Sequence, residues 1–92
     1  MTEQEYRKRA QDEGYGEVTP REYEPNRDGP MHTHEFSVLV LVTEGVFSLA
    51  YEDGVKTYQP GEWCVLPANT SHTERAGPAG AKVLLARKGA VA

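Results

Sequence analysis

From Phe36 onward the apolar residues fall into short runs, separated by clusters of Gly, Pro, Asn and Asp. Phe36 to Val42 is apolar at nearly every position, odd and even, which predicts a strand covered on both faces. Thr43-Glu44-Gly45 is expected to end it. Val46 to Glu52 and Val55 to Gln59 flank Asp53-Gly54, a strong signal for a two-residue hairpin loop. Pro60-Gly61 predicts a turn, Glu62 to Leu66 a strand, and Pro67 to Thr70 a loop. Ser71 to Ala76 reads as another strand, Gly77-Pro78-Ala79-Gly80 as a turn, and Lys82 to Arg87 as the closing strand. Short strands spaced about 8–12 residues apart, with turns between them, predict an all-β sandwich or barrel.

Before Phe36 the pattern differs. Thr2 to Glu13 is expected to be a short helix, with Thr2 and Glu5 at capping-box spacing and Gly14 as its stop. Its apolar face is thin, Tyr6 and Ala10, so the expected role is a solvated or dimer-docking element. A strand-like segment from Glu17 to Glu24 is broken by Pro20, and Pro25 to Pro30 is turn-rich. These signals divide the chain into an N-terminal helix and lead-in strand, 1–25, and a single barrel domain, 26–92.

Composition narrows the function classes. Ninety-two residues make one domain with a small core, for which a metal or a second subunit is a natural support. Asp and Glu number 14 against 10 Lys and Arg, for a net charge of -4, which speaks against a nucleic-acid partner. The longest uninterrupted apolar stretch, Val38 to Val42, is far too short to span a bilayer as a helix. The acidic start, Met1-Thr2-Glu3-Gln4-Glu5, is unlike a signal peptide. The single cysteine, Cys64, allows no internal disulfide and fits a reducing cytoplasm; its parity with Leu66 makes it an expected core residue.

The histidines carry the chemistry. There are three in the chain, His32, His34 and His72. Side chains two apart on a strand share a face, so His32 and His34 project together, on the face of Phe36, Val38, Val40 and Val42. Two such imidazoles can reach one ion, and His72 is the candidate for a third ligand from a neighbouring strand. Three neutral imidazoles suit a divalent transition metal: Fe, Mn, Ni, Cu or Zn.

With these residues in place the chain resembles a small single-domain cupin. The first cupin motif runs Gly, five residues, His-x-His, three or four residues, Glu, six residues, Gly. The matching residues are His32-Thr33-His34, then Val38, then Gly45. The second motif runs Gly, five residues, Pro-x-Gly, two residues, His, three residues, Asn. The matching residues are Gly61, Pro67-Ala68-Asn69, His72 and Ala76. The segment between the motifs, 46–60, has the length of a minimal cupin. The resemblance implies a double-stranded β-helix (jelly-roll) barrel of about seven or eight strands with a short N-terminal helix. It also implies His32, His34 and His72 as metal ligands, and a homodimer formed by paired sheets. Leu39 and Leu41, on the outward face of the apolar strand, fit that dimer.

Four positions depart from the motifs. Asn26 stands where the first Gly is expected, Asn69 replaces the second-motif Gly, and Ala76 replaces Asn. Val38 occupies the position of the metal-binding Glu. Glu35 has the opposite parity to the histidines, so it points away. Glu74, two residues after His72, is the compensating candidate, as a ligand or a proton-transfer group; the alternative is a solvated rim residue. Without a carboxylate the site is more cationic, which favours an anionic, chelating small molecule. Cupins of this three-His pattern include Fe(II) dioxygenases that cleave diketones or oxidise thiols. The reading is therefore a metal-binding cupin that binds or transforms such a molecule, with a dioxygenase-like oxidoreductase or an isomerase or lyase as the enzymatic options. The alternative is a non-catalytic binding or sensing module. For Phe47, Tyr51, Tyr58 and Trp63 the expected role is barrel lining or dimer contact.

Overall fold

The computed structural model describes residues 1–89. In chain order it contains α1 (Glu3–Asp12), β1 (Thr19–Tyr23), β2 (Ser37–Tyr51), β3 (Gly54–Tyr58), β4 (Trp63–Leu66) and β5 (Thr73–Lys88). All strand pairings are antiparallel, in the order β1-β5-β2-β3, with β4 on the first half of β2. β2 is thus flanked by β5 and β4 at Val38–Leu41, and by β5 and β3 at Phe47–Ala50. That central place explains its aliphatic character on both faces. β1 pairs only with β5, so Pro20 sits at a sheet edge, where a missing N–H is tolerated.

The expected breaks in the strand pattern become bends. Thr43-Glu44-Gly45 does not end the strand; β2 runs through it, with register shifts at Val42/Glu44 and Gly45/Phe47. Likewise Gly77 to Gly80 stays inside β5. Gly45 pairs with Ala81 and Phe47 with Ala76, so residues 77–80 bow out as a bulge opposite Val46 alone. Five long or short strands therefore replace the expected seven or eight, because β2 and β5 each carry what reads as two. The two bends touch. Gly45 and Gly80 have φ of 74° and 79°, and a Cβ on Gly45 would overlap the Gly80 carbonyl. Only glycine fits this crossing. A hairpin forms at the expected place but one residue earlier in register: Tyr51 pairs with Gly54, so the two-residue loop is Glu52-Asp53 rather than Asp53-Gly54.

Bending lets one sheet face enclose a core. Tyr23, Val38, Val40, Val42, Phe47, Leu49, Cys64, Leu66, Ala81 and Val83 fill it. The even-numbered face of Val38, Val40 and Val42 thus points inward, as the sequence pattern indicates, and Cys64 joins it. Its burial pushes the thiol up to about 11.

The opposite face has its own cover. α1 carries the expected capping box, with Thr2 as N-cap and Glu5 returning the bond. Its Tyr6 and Ala10 pack on Leu39, Leu41, Leu84 and Ala86, with Trp63 alongside. Tyr6 is fully buried, and its hydroxyl donates to the Leu39 carbonyl at 2.6 Å. Arg9 lies over the Trp63 ring, 4.2 Å from its centroid. The helix is therefore a built-in lid on the outer sheet, not a solvated element. Leu39 and Leu41 lie under it and offer no exposed face to a second subunit.

Candidate metal centre

The three histidines meet at one end of the enclosed face. His32 and His72 form an isolated antiparallel bridge, exchanging backbone bonds of 2.9 and 3.1 Å. The amide of Asn69 donates to the His34 carbonyl at 2.8 Å, tying the second-motif loop to the first. Both asparagines that replace motif glycines, Asn26 and Asn69, hold φ of 60°. Asparagine tolerates this left-handed conformation, so the loop geometry survives the substitution.

The imidazole nitrogens of His32, His34 and His72 lie within 4.8 Å of one another. Each Nδ1 faces a backbone carbonyl two residues away: Pro30 at 2.9 Å, Phe36 at 2.9 Å and Thr70 at 2.8 Å. A carbonyl only accepts, so each Nδ1 carries the proton and, in the neutral ring, each Nε2 presents a lone pair. His34 is further held by its parallel stack on Phe36, 4.2 Å between ring centroids. His72 is completely buried, and its Nε2 has no hydrogen-bond partner among the described residues. A buried polar atom without a partner is costly and calls for an explanation. A metal ion at the convergence of the three Nε2 atoms supplies one, so the donor set fits a divalent transition metal.

Glu74 points at this cluster. Its Oε1 is 3.8 Å from the Nε2 of His32 and 3.7 Å from that of His72. Its side chain is only 17% exposed, unlike a solvated rim residue. Tyr23 donates its hydroxyl to Oε2 at 2.9 Å. Burial and the adjacent carboxylate both push the Tyr23 phenol well above its ordinary range, so it remains a donor. Glu35 is exposed and lines a different surface hollow, as its parity indicates. Val38 faces inward between two neighbours at its own level, Leu66 on β4 and Arg87 on β5.

A cavity of about 270 Å³ opens beside the histidines. Val38, Val40, Phe47, Leu49, Leu66 and Leu85 make its apolar wall, and Tyr23 and Glu74 lie at its polar end. Arg21, Arg27 and Arg87 line it too. The sequence pattern singled out none of these arginines, nor Tyr23. Arg21 shares parity with Tyr23, but nothing local announces that β1 joins the sheet that bears the histidines.

A bent antiparallel sheet wrapped round a small cavity, with three imidazoles from two neighbouring segments clustered beside it, defines a jelly-roll barrel. The model of a family described as the cupin domain matches residues 21–86, and this chain belongs to that family. Solved structures agree in fold. A protein of unknown function from Rhizobium leguminosarum superposes with a TM-score of 0.73 at 22% identity, over 78% of this chain and 68% of that one. The polyketide cyclase RemF from Streptomyces resistomycificus gives 0.68 at 29% identity, over 76% of this chain and 51% of the cyclase. A sugar phosphate isomerase of the cupin superfamily from Silicibacter pomeroyi gives 0.63 at 24%, over 77% and 48%. The chain thus spans about half the length of either enzyme. No curated protein matches it. Among the described residues no helix is long and apolar enough to cross a membrane.

Proposed function

We propose that the protein binds a divalent transition metal through His32, His34 and His72, and uses it to bind and transform a small, anionic, chelating organic molecule. The observation that carries this reading is the set of three Nε2 lone pairs, fixed by three carbonyls, with that of His72 buried and unpartnered. Bound there, Fe, Mn, Ni or Cu would supply redox or Lewis-acid chemistry, and Zn Lewis-acid chemistry alone. The residues do the rest. The apolar wall of Val38, Val40, Leu49 and Leu66 excludes water from one side of a bound molecule. In this reading Glu74, 3.8 and 3.7 Å from the His32 and His72 imidazoles, takes or returns a proton. Tyr23 fixes the carboxylate's orientation through its bond to Oε2. The reaction class that fits is dioxygenase-like, with isomerase or lyase chemistry the other enzymatic option. The cyclase of similar fold, at 29% identity, supports a catalytic reading over a purely sensory one.

A cytoplasmic location is part of the proposal, supported by the single, unpaired cysteine. A homodimer is also proposed. Since α1 covers Leu39 and Leu41, it would use the exposed Val55 and Val65 instead.

Elemental analysis of untagged protein tests the metal directly, beside a His32→Ala/His34→Ala control. The expected result is near-stoichiometric metal that the control loses. Protein that carries none, and takes up none when titrated, would refute the reading. Oxygen or substrate consumption by the loaded protein separates an enzyme from a binding module.

A further inference from the structure

The cavity has a second chemical character. Arg21, Arg27 and Arg87 share its wall with the histidines. Among the described residues, none of the three has a carboxylate within ion-pair distance, whereas Arg7, Lys8, Arg9, Arg75 and Lys82 each pair with Asp or Glu. The exposed Lys56 and Lys88 also lack such a pair, but of these five cations only the three exposed arginines line this opening. Each guanidinium lies near an aromatic ring instead. Arg21 and Arg27 sit 4.9 and 6.0 Å from the Tyr23 centroid, and Arg87 sits 4.7 Å from that of Phe36. These two rings also touch the histidine end: Tyr23 bonds to Glu74, and Phe36 stacks on His34.

Three like charges around one opening repel, and a guanidinium fork is matched to a planar carboxylate or a phosphate. We propose that Arg21, Arg27 and Arg87 form an anion-binding rim that selects a two-ended ligand. One end chelates at the histidines, which rests on the metal reading above. The other end is a carboxylate or phosphate held by the rim, and a short apolar body lies along Val38, Leu49 and Leu66. The cavity volume of about 270 Å³ limits the ligand to a small metabolite-sized molecule.

Calorimetric titration with succinate, inorganic phosphate and neutral succinamide tests the rim. The wild type is compared with Arg21→Gln, Arg87→Gln, their double variant, and His32→Ala/His34→Ala. The expected result is saturable binding of at least one anion and none of succinamide. Each single Arg variant should weaken it about tenfold, at unchanged metal uptake and thermal midpoint. A preference for succinate identifies a carboxylate as the rim group, and a preference for phosphate identifies a phosphate ester; either supports the rim. Phosphate binding that persists in the histidine variant and disappears in the Arg double variant assigns the anion to the rim independently of the metal. Protein that binds anions at the rim but no metal would refute the metal reading alone. Equal affinity in the Arg variants, equal binding of succinamide, or no saturable binding of either anion would overturn the rim.

Discussion

Removing the Tyr6 side chain should destabilise the whole barrel, although it lies on a helix outside it. Tyr6 is fully buried between α1 and the outer face of β2 and β5. Its hydroxyl donates to the carbonyls of Leu39 and Leu84, at 2.6 and 3.3 Å. Burial pushes the phenol well above its ordinary range, so it stays a donor throughout the usable pH span. Truncating a buried aromatic residue to alanine costs about 3–5 kcal/mol. For a domain of this size each kcal/mol moves Tm by about 4–8 °C, so Tyr6→Ala should lower it by at least about 12 °C. Tyr6→Phe keeps the ring and loses the hydrogen bonds, for about 1–2 kcal/mol. Urea unfolding followed by circular dichroism measures both. The single tryptophan adds a local report, because Trp63 packs in the same cluster beneath Arg9. Its emission should move to the red in Tyr6→Ala at denaturant concentrations where the barrel is still folded, and stay put in Tyr6→Phe. A Tyr6→Ala variant within about 1 kcal/mol of the wild type, with Trp63 emission unmoved, would refute the docking of α1.

Three further outcomes follow from the packing. Gly45→Ala forces a Cβ onto the Gly80 carbonyl at a positive φ, so it should cost about 2–4 kcal/mol in urea unfolding; a neutral effect would mean the strands cross elsewhere. Burial raises the Cys64 thiol to about 11, while the unfolded chain's thiol ionises near about 8.5. Stability should therefore be full below that lower value and fall as pH rises towards 11, by roughly 3 kcal/mol. Cys64→Ala should flatten the fall between pH 8.5 and 9.5, before the tyrosines ionise, and an unchanged slope would show the thiol is not the cause. Val38→Glu places a carboxylate on the cavity face and should tighten metal binding roughly tenfold, with a larger gain when Arg87→Gln removes the cation opposite. Unchanged metal affinity in both backgrounds would show that residue 38 does not face the ion.

Much of this was legible in the chain because it is local. Alternation placed Val38, Val40 and Val42 on one face, since the strand period of two needs no partner to be read; His32 and His34 do come together, but in a segment that ends before β2 begins at Ser37. The capping box of α1 and the hairpin ending at Gly54 depend on residues within a few positions of each other. Where local signals misled, distant contacts had changed their meaning. Thr43-Glu44-Gly45 and Gly77 to Gly80 look like ends, but Gly45 meets Gly80 and the two strands bend through each other. Leu39 and Leu41 look like a dimer face, yet Tyr6, more than thirty positions away, covers them.

The candidate site divides in the same way. Sequence alone determined the three imidazoles, because histidine is used nowhere else and its parity is a local property. Only the tertiary structure decided how they are held and what surrounds them. The bonds that hold each Nδ1 are local, but the meeting of His72 with His32, the turn of Glu74 towards both, and the placing of Arg87 opposite Val38 depend on strand register. Register is set by pairing between segments far apart in the chain, and a shift of one residue would send each of these side chains to the other face.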